Sequence, residues 1–121
     1  MRTVKQYALF EPNRLEWQPE PFTIDVRPAR ERVVIVPRGE LDVATIGQLA
    51  AAIDDLAGRG FQAIALDLVA TSFIDSSGVH LLLEQTARAD AKVTVIDASN
   101  PVRRVLDLTG VRHLPAFDNE P

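Results

Sequence analysis

The sequence predicts a small α/β domain: a mixed, mainly parallel sheet that opens with an antiparallel hairpin and has helices packed on it. Three observations lead there. Strand, helix and strand patterns alternate three times along the chain, which demands parallel pairing through right-handed crossovers. The first two strand runs are joined by only a short turn, which favours an antiparallel hairpin. A length of 121 residues fits one domain, large enough to bury a full core.

Residues 1–20 read as an arm, 21–117 as the domain and 118–121 as a tail. Pro12, Pro19 and Pro21 punctuate the arm, and no hydrophobic period survives in it. Tyr7, Phe10 and Trp17 pin it to the domain, meet a partner, or stand as stray apolar residues; the pattern leaves all three readings open. From Phe22 the chain becomes regular. Phe22, Ile24 and Val26 alternate with Thr23 and Asp25, as in a half-exposed edge strand. The turn over 27–31 leads into Val33, Val34, Ile35 and Val36, a run buried on both faces. Pro37 has no amide to donate and is expected to end that strand or mark a bulge.

A helix follows over 43–57. Ile46, Leu49, Ala50, Ile53, Leu56 and Ala57 fall at the three-and-four spacing of one apolar face. Asp42 is its expected N-cap, and Gly58 and Gly60 are its stop signal. Residues 63–68 form a second buried strand. After a short loop, a helix over 76–89 turns Val79, Leu82, Leu83 and Thr86 inward. Residues 92–97 form the next strand. Ser99 or Asn100 caps the last helix, Pro101 sits in its first turn, and Gly110 follows its end. Residues 111–114 are expected to add a short final strand.

Composition narrows the function. A formal charge of −4 without any basic run argues against nucleic acid and against docking to an anionic membrane. The absence of cysteine removes disulfides, thiolate chemistry and cysteine-based metal sites. No apolar run is long enough to span a bilayer, and the first 20 residues lack a secretory signal's apolar stretch. A cytoplasmic protein is expected. There is no Walker-type loop, dinucleotide fingerprint or His/Glu metal spacing, so no cofactor and no metal are expected.

The chemistry concentrates in residues 63–83. There a buried strand leads through a loop into Asp75-Ser76-Ser77-Gly78, the opening of a helix. Two hydroxyls thus stand at the positive end of a helix dipole beside a carboxylate. On pattern alone both serines are caps that satisfy orphan amides. Gly78 permits either close approach of another backbone or tight packing. Asp42 and Asp75 are candidate caps and, at the carboxyl ends of neighbouring parallel strands, candidate contact residues. Asp67 reads as a structural hydrogen-bond partner, Arg103 and Arg104 as a solvated face, and His113 as a surface residue. His80, one turn beyond Ser77, raises a serine-hydrolase reading. Asp75 stands where G-x-S-x-G needs its first glycine, and no oxyanion loop is evident, so that reading is weak.

Four segments together resemble a known family. Gly39-Glu40-Leu41-Asp42 precedes the first helix and Leu66-Asp67-Leu68 lies in the second buried strand. Phe73-Ile74-Asp75-Ser76-Ser77-Gly78 follows, then the run from Pro101 to Gly110. In this order and spacing, over residues 22–117, they look like a STAS domain, and more narrowly like a bacterial anti-sigma-factor antagonist. The resemblance implies a non-catalytic protein that works by partner switching. Unmodified, such an antagonist binds an anti-sigma factor, which releases its sigma factor. The anti-sigma factor is also a serine kinase that phosphorylates the antagonist and ejects it, and a serine phosphatase reverses this. In the family pattern the acceptor is the second serine, here Ser77; Asp42, Asp75, Ser76 and Gly78 are the expected partner-binding residues, with Ser76 chiefly a cap. Phosphate on Ser77 is expected to leave the fold nearly unaltered and to act at the interface. The chain departs from the family by ending before a further helix that usually follows the final strand, and by its longer arm. A STAS subunit that is never phosphorylated and regulates a transporter, such as a lipid-transport ATPase, is the alternative.

Overall fold

The computed structural model describes residues 21–111 and 114–117. Among them run β1 (Thr23–Pro28), β2 (Val33–Leu41), α1 (Ile46–Gly58), β3 (Ala63–Leu68), β4 (Thr71–Ile74), α2 (Ser76–Thr86), β5 (Lys92–Ala98) and α3 (Asn100–Thr109). The expectations for Tyr7, Phe10, Trp17 and His113 lie outside these residues. β1 and β2 form the antiparallel hairpin, with Val26 opposite Ile35. β2–β3 and β3–β5 pair in parallel, so the sheet runs β1-β2-β3-β5. This is the mixed α/β sheet that the alternation of patterns predicts.

β4 is the element that sequence reasoning took for a loop. Two residues beyond β3, the chain resumes a strand parallel to β2. β2 is long enough to serve both: Val33–Ile35 register with β3, and Gly39–Leu41 with β4. Pro37 therefore does not end the strand. It lies inside β2, between the stretches paired with β3 and with β4, where a missing amide leaves neither ladder short of a donor. Its carbonyl accepts the hydroxyl of the fully buried Thr71 at 3.1 Å, which joins β4 to the handover point.

The core unites residues of β2, β3 and all three described helices, including Ile35, Leu41, Ile53, Leu66, Leu82 and Leu106. The α1 stripe is as predicted: Leu49, Ile53 and Leu56 are buried, and Ile46, Ala50 and Ala57 pack against them. α2 stops at Thr86, earlier than expected, because Arg88 is engaged elsewhere. Its guanidinium binds Asp54 of α1 at 2.8 Å and Asp90 at 2.7 Å, and holds the chain that leads into β5. Ser99 occupies the N-cap position of α3, and Gly110 ends it with φ +77°.

Val111 and Leu114, the described residues of the expected final strand, do not lie in a strand. Leu114 donates its amide to Val111 and Phe117 donates to Leu114, so these amides are spent on local turns. Among the described residues the chain touches the sheet at Val95, whose amide donates to the Ala116 carbonyl at 2.9 Å and which forms an isolated parallel bridge with Phe117. Among the described residues no helix is long and apolar enough to cross a membrane.

Candidate functional site

β2 and β4 end side by side. Leu41 registers with Ile74, and the Asp75 amide approaches the Leu41 carbonyl at 3.4 Å. Asp42 and Asp75 consequently leave the sheet next to each other, as neighbouring parallel strands require. Their local roles differ.

Asp42 is not the N-cap of α1. Residues 42–45 form a turn, and the helix begins at Ile46 behind Thr45. The Thr45 hydroxyl donates to the Glu40 carbonyl at 2.7 Å and accepts the Asp42 amide at 3.0 Å, which ties the helix start to the end of β2. The Asp42 carboxylate accepts the Ala44 amide at 3.0 Å, an Asx-type turn. Asp followed three residues later by Thr was the available signal for this turn.

Asp75 does cap α2. Its backbone is extended, and one carboxylate oxygen, Oδ1, accepts the Gly78 amide at 3.1 Å and the Ser77 hydroxyl at 2.6 Å. The expected capping role of Ser76 is thereby overturned. The carboxylate already satisfies the helix's first donors, and Ser76 becomes an exposed first helical residue. The Ser77 hydroxyl is the main reason that the Asp75 carboxyl is held below the usual carboxylate range. Partial burial opposes this, and the Gly78 amide adds to the lowering.

Gly78 is buried one position further on. A Cβ there would stand 2.6 Å from Ile74 Cγ1 and 2.7 Å from the Leu41 carbonyl oxygen. The backbone it lets approach belongs to its own chain, so the first turn of α2 lies directly on the ends of β2 and β4. Ser77 is half-buried, and its hydroxyl is oriented by Asp75 on a turn with little freedom.

Two apolar side chains stand exposed near these strand ends: Val43, 77% exposed, in the turn after Asp42, and Phe73, 48% exposed, paired opposite Glu40 in β4. Sequence reasoning singled out neither as a site residue, because exposure is set by the tertiary fold. Beyond Ser76, α2 and α3 enclose a groove of about 330 Å³ lined by Asp75, Ser76, Val79, His80, Leu83, Val105 and Thr109. His80 is largely exposed and faces Glu84 at 3.2 Å, whereas the Ser77 hydroxyl is bound to Asp75. The serine–histidine contact of a hydrolase is therefore not made. Asp67 accepts the Val69 amide at 3.0 Å, the structural role expected of it. Arg103 is less solvated than expected, since it binds Asp97 at 2.9 Å and the Ala98 carbonyl at 3.2 Å. Among the described residues no group of three or more His, Cys, Asp or Glu could hold a metal ion.

The STAS domain family model matches residues 23–120. The chain belongs to the STAS domain family. No curated protein matches the chain in sequence. Among solved structures, an anti-sigma factor antagonist from Mycobacterium paratuberculosis shares 24% identity and superposes with a TM-score of 0.73 over 85% of this chain and 90% of that one. At that identity the likeness shows a shared fold. The anti-sigma factor antagonist SpoIIAA in its unphosphorylated form is 28% identical, with a TM-score of 0.61 over 84% of this STAS domain chain and 89% of its own. The Bacillus cell fate determinant SpoIIAA in its phosphorylated form is 27% identical, with a TM-score of 0.57 over 84% and 92%. This STAS domain is thus structurally similar to anti-sigma factor antagonists.

Proposed function

We propose that this STAS domain protein is an anti-sigma-factor antagonist that acts by partner switching, with Ser77 as its phosphoacceptor. In this reading the unphosphorylated form binds an anti-sigma factor that is also a serine kinase. The sigma factor is then released, phosphorylation ejects the antagonist, and a serine phosphatase resets it. The protein itself contributes binding surface and a hydroxyl, and no catalytic group. Asp42, Asp75 and Ser76 contact the partner directly, and Gly78 contributes by letting α2 lie close on the strand ends.

One observation carries the reading: the Ser77 hydroxyl sits on the first turn of α2, 2.6 Å from Asp75 Oδ1, at the rim where β2 and β4 end. A kinase needs a hydroxyl held in a defined place, and Ser77 is held by a hydrogen bond and by the buried Gly78 beside it. Phosphorylation removes the donated proton and sets nearly two negative charges beside a carboxylate. At about 4 Å each unit pair repels by roughly 1 kcal/mol in water and by more near a protein surface. The positive end of the α2 dipole offsets part of this inside the molecule. A partner that had docked on Asp75 and Ser77 gains no such compensation. The likeness to SpoIIAA in both its unphosphorylated and its phosphorylated forms supports a phosphate accepted without refolding.

Phosphopeptide mapping tests the proposal. The protein is incubated with Mg-ATP and candidate anti-sigma kinases beside Ser76→Ala and Ser77→Ala. A single phosphate that disappears only in Ser77→Ala supports the switch. If kinases that modify a control antagonist leave this protein unmodified, and Ser77→Asp binds them as well as wild type, the proposal fails in favour of an unphosphorylated transporter subunit.

A further inference from the structure

β1 is an edge of the sheet, and among the described residues no strand pairs with its outer side. The hairpin fixes which backbone groups face outward. The Ala29 amide donates to the Arg32 carbonyl at 2.8 Å, so that pair is hydrogen-bonded and the next, Pro28 opposite Val33, is not. The register then runs without a shift to Thr23 opposite Arg38. Thr23, Asp25 and Arg27 therefore turn their amides and carbonyls to β2. Those of Ile24 and Val26, and the carbonyl of Pro28, point away from it. Pro28 lacks an amide where β2 needs none, as suits an edge strand.

The side chains say what this edge accepts. On the core side Ile24 packs against the core, but Val26, opposite the fully buried Ile35, stays 46% exposed. On the other face Asp25 and Arg27 stand two residues apart, with side chains 42% and 59% exposed. An open edge is a template for another strand, and charges commonly guard it. Here they are of opposite sign, so they exclude some pairings with a second β1 and favour one. In an antiparallel pair whose twofold axis falls at Asp25, two carboxylates meet. With the axis at Arg27, two guanidiniums meet. With the axis at Ile24, Asp25 faces Thr23 and no ion pair forms. With the axis at Val26, Asp25 of each chain faces Arg27 of the other, an opposite-charge pair made twice. Val26 then exchanges amide and carbonyl with its counterpart, and each Ile24 amide donates to the Pro28 carbonyl opposite. The two Val26 side chains meet on the core side of the sheet, where each is otherwise open to solvent.

We propose that β1 is an interface with a second copy of this chain, formed by antiparallel pairing of two β1 strands about Val26, which joins the two sheets into one. The self-complementary order Asp25-Val26-Arg27 assigns the edge to a copy of the chain rather than to an unrelated strand. The contact uses the side of β1 turned away from β2 and β4, and it does not rest on the reading of Ser77.

One strand from each chain makes a small contact, of the weak and reversible class. Sedimentation equilibrium of the full chain, taken up to about 1 mM, is expected to approach twice the monomer mass of 13.3 kDa. Val26→Pro removes an amide that β2 does not use and should leave a folded monomer, checked by circular dichroism. Arg27→Glu turns both cross-strand pairs into like charges and should weaken the dimer about tenfold. The sequence has no cysteine, so the register can be read by crosslinking. In the proposed pairing the two Val26 Cα atoms lie about 5.5 Å apart, within disulfide reach, and the two Thr23 Cα atoms about 20 Å apart. Val26→Cys should therefore oxidise to a covalent dimer several-fold faster than Thr23→Cys. A monomer at every concentration overturns the proposal. So does a dimer that both Val26→Pro and Arg27→Glu leave intact, or oxidation equally fast at the two cysteine positions.

Discussion

Ser77 and Gly78 share a single acceptor: Asp75 Oδ1 takes the hydroxyl of one at 2.6 Å and the amide of the other at 3.1 Å. One carboxylate thus starts the helix and orients the hydroxyl that we propose is modified. Any change at Ser77 is felt by the cap, and any change at the cap is felt by Ser77.

The cap separates charge from hydrogen bonding. Asp75→Ala is expected to destabilise the domain by about 1 kcal/mol, the usual loss of a helix cap. Asp75→Asn keeps an acceptor for the Gly78 amide and should cost only a few tenths. Urea denaturation of both variants measures this, and equal losses would show that the cap contributes through its charge alone.

Acid should weaken the fold partly through the same residue. The folded Asp75 carboxyl titrates below its unfolded value, so its contribution is complete above about pH 4 and is lost as pH falls through the folded pKa. Asp25, lowered chiefly by Arg38, and Asp90, lowered chiefly by Arg88, act in the same direction. Asp75→Asn should make the fall in stability between pH 4 and pH 2 shallower than in wild type. In Ser77→Ala, an NMR titration should find the Asp75 carboxyl at a higher pKa, because its main stabilising donor is gone. An unchanged titration would remove the Ser77–Asp75 bond from the account.

Gly78→Ala exchanges a poor helix former for the best one, a gain of up to about 1 kcal/mol in an open helix. Here the added methyl meets the Leu41 carbonyl at 2.7 Å and Ile74 at 2.6 Å, and backbone cannot yield cheaply. The expected net effect is a loss of about 1–3 kcal/mol. A melting temperature at or above that of wild type would show that α2 can lift off the strand ends freely.

Thr71 tests the join between β4 and β2. Thr71→Val keeps the shape but leaves the buried Pro37 carbonyl without its side-chain donor, at a cost of about 1–2 kcal/mol. Thr71→Ser, which keeps the hydroxyl and loses a methyl, should restore the Pro37 bond, visible as slow exchange and a sharp hydroxyl resonance. Indifference to Thr71→Val in chemical denaturation would mean that β4 is held by its ladder alone.

Much of the architecture was legible because it depends on contiguous residues. The apolar stripe of α1 and the Pro101 and Gly110 signals around α3 each lie within one segment, and the structure has them where local physics puts them. The Asp75–Gly78 motif stood out for the same reason. The alternation expected in β1 holds for Phe22 and Ile24, which pack against the core, but not for Val26, which is 46% exposed. What the sequence left open needed residues far apart to meet. β4 is four residues long and shows no period of its own; it becomes a strand because β2, some 30 residues earlier, offers it a free edge. Ser76 and Asp75 are equally good caps on paper. The choice fell to Asp75 because the Leu41–Ile74 pairing holds that residue extended at the end of the sheet. Gly78 admitted two readings until the Leu41 carbonyl was found against it. Short-range steric and hydrogen-bond preferences set the elements, whereas the site is an outcome of how the strand ends are brought into register.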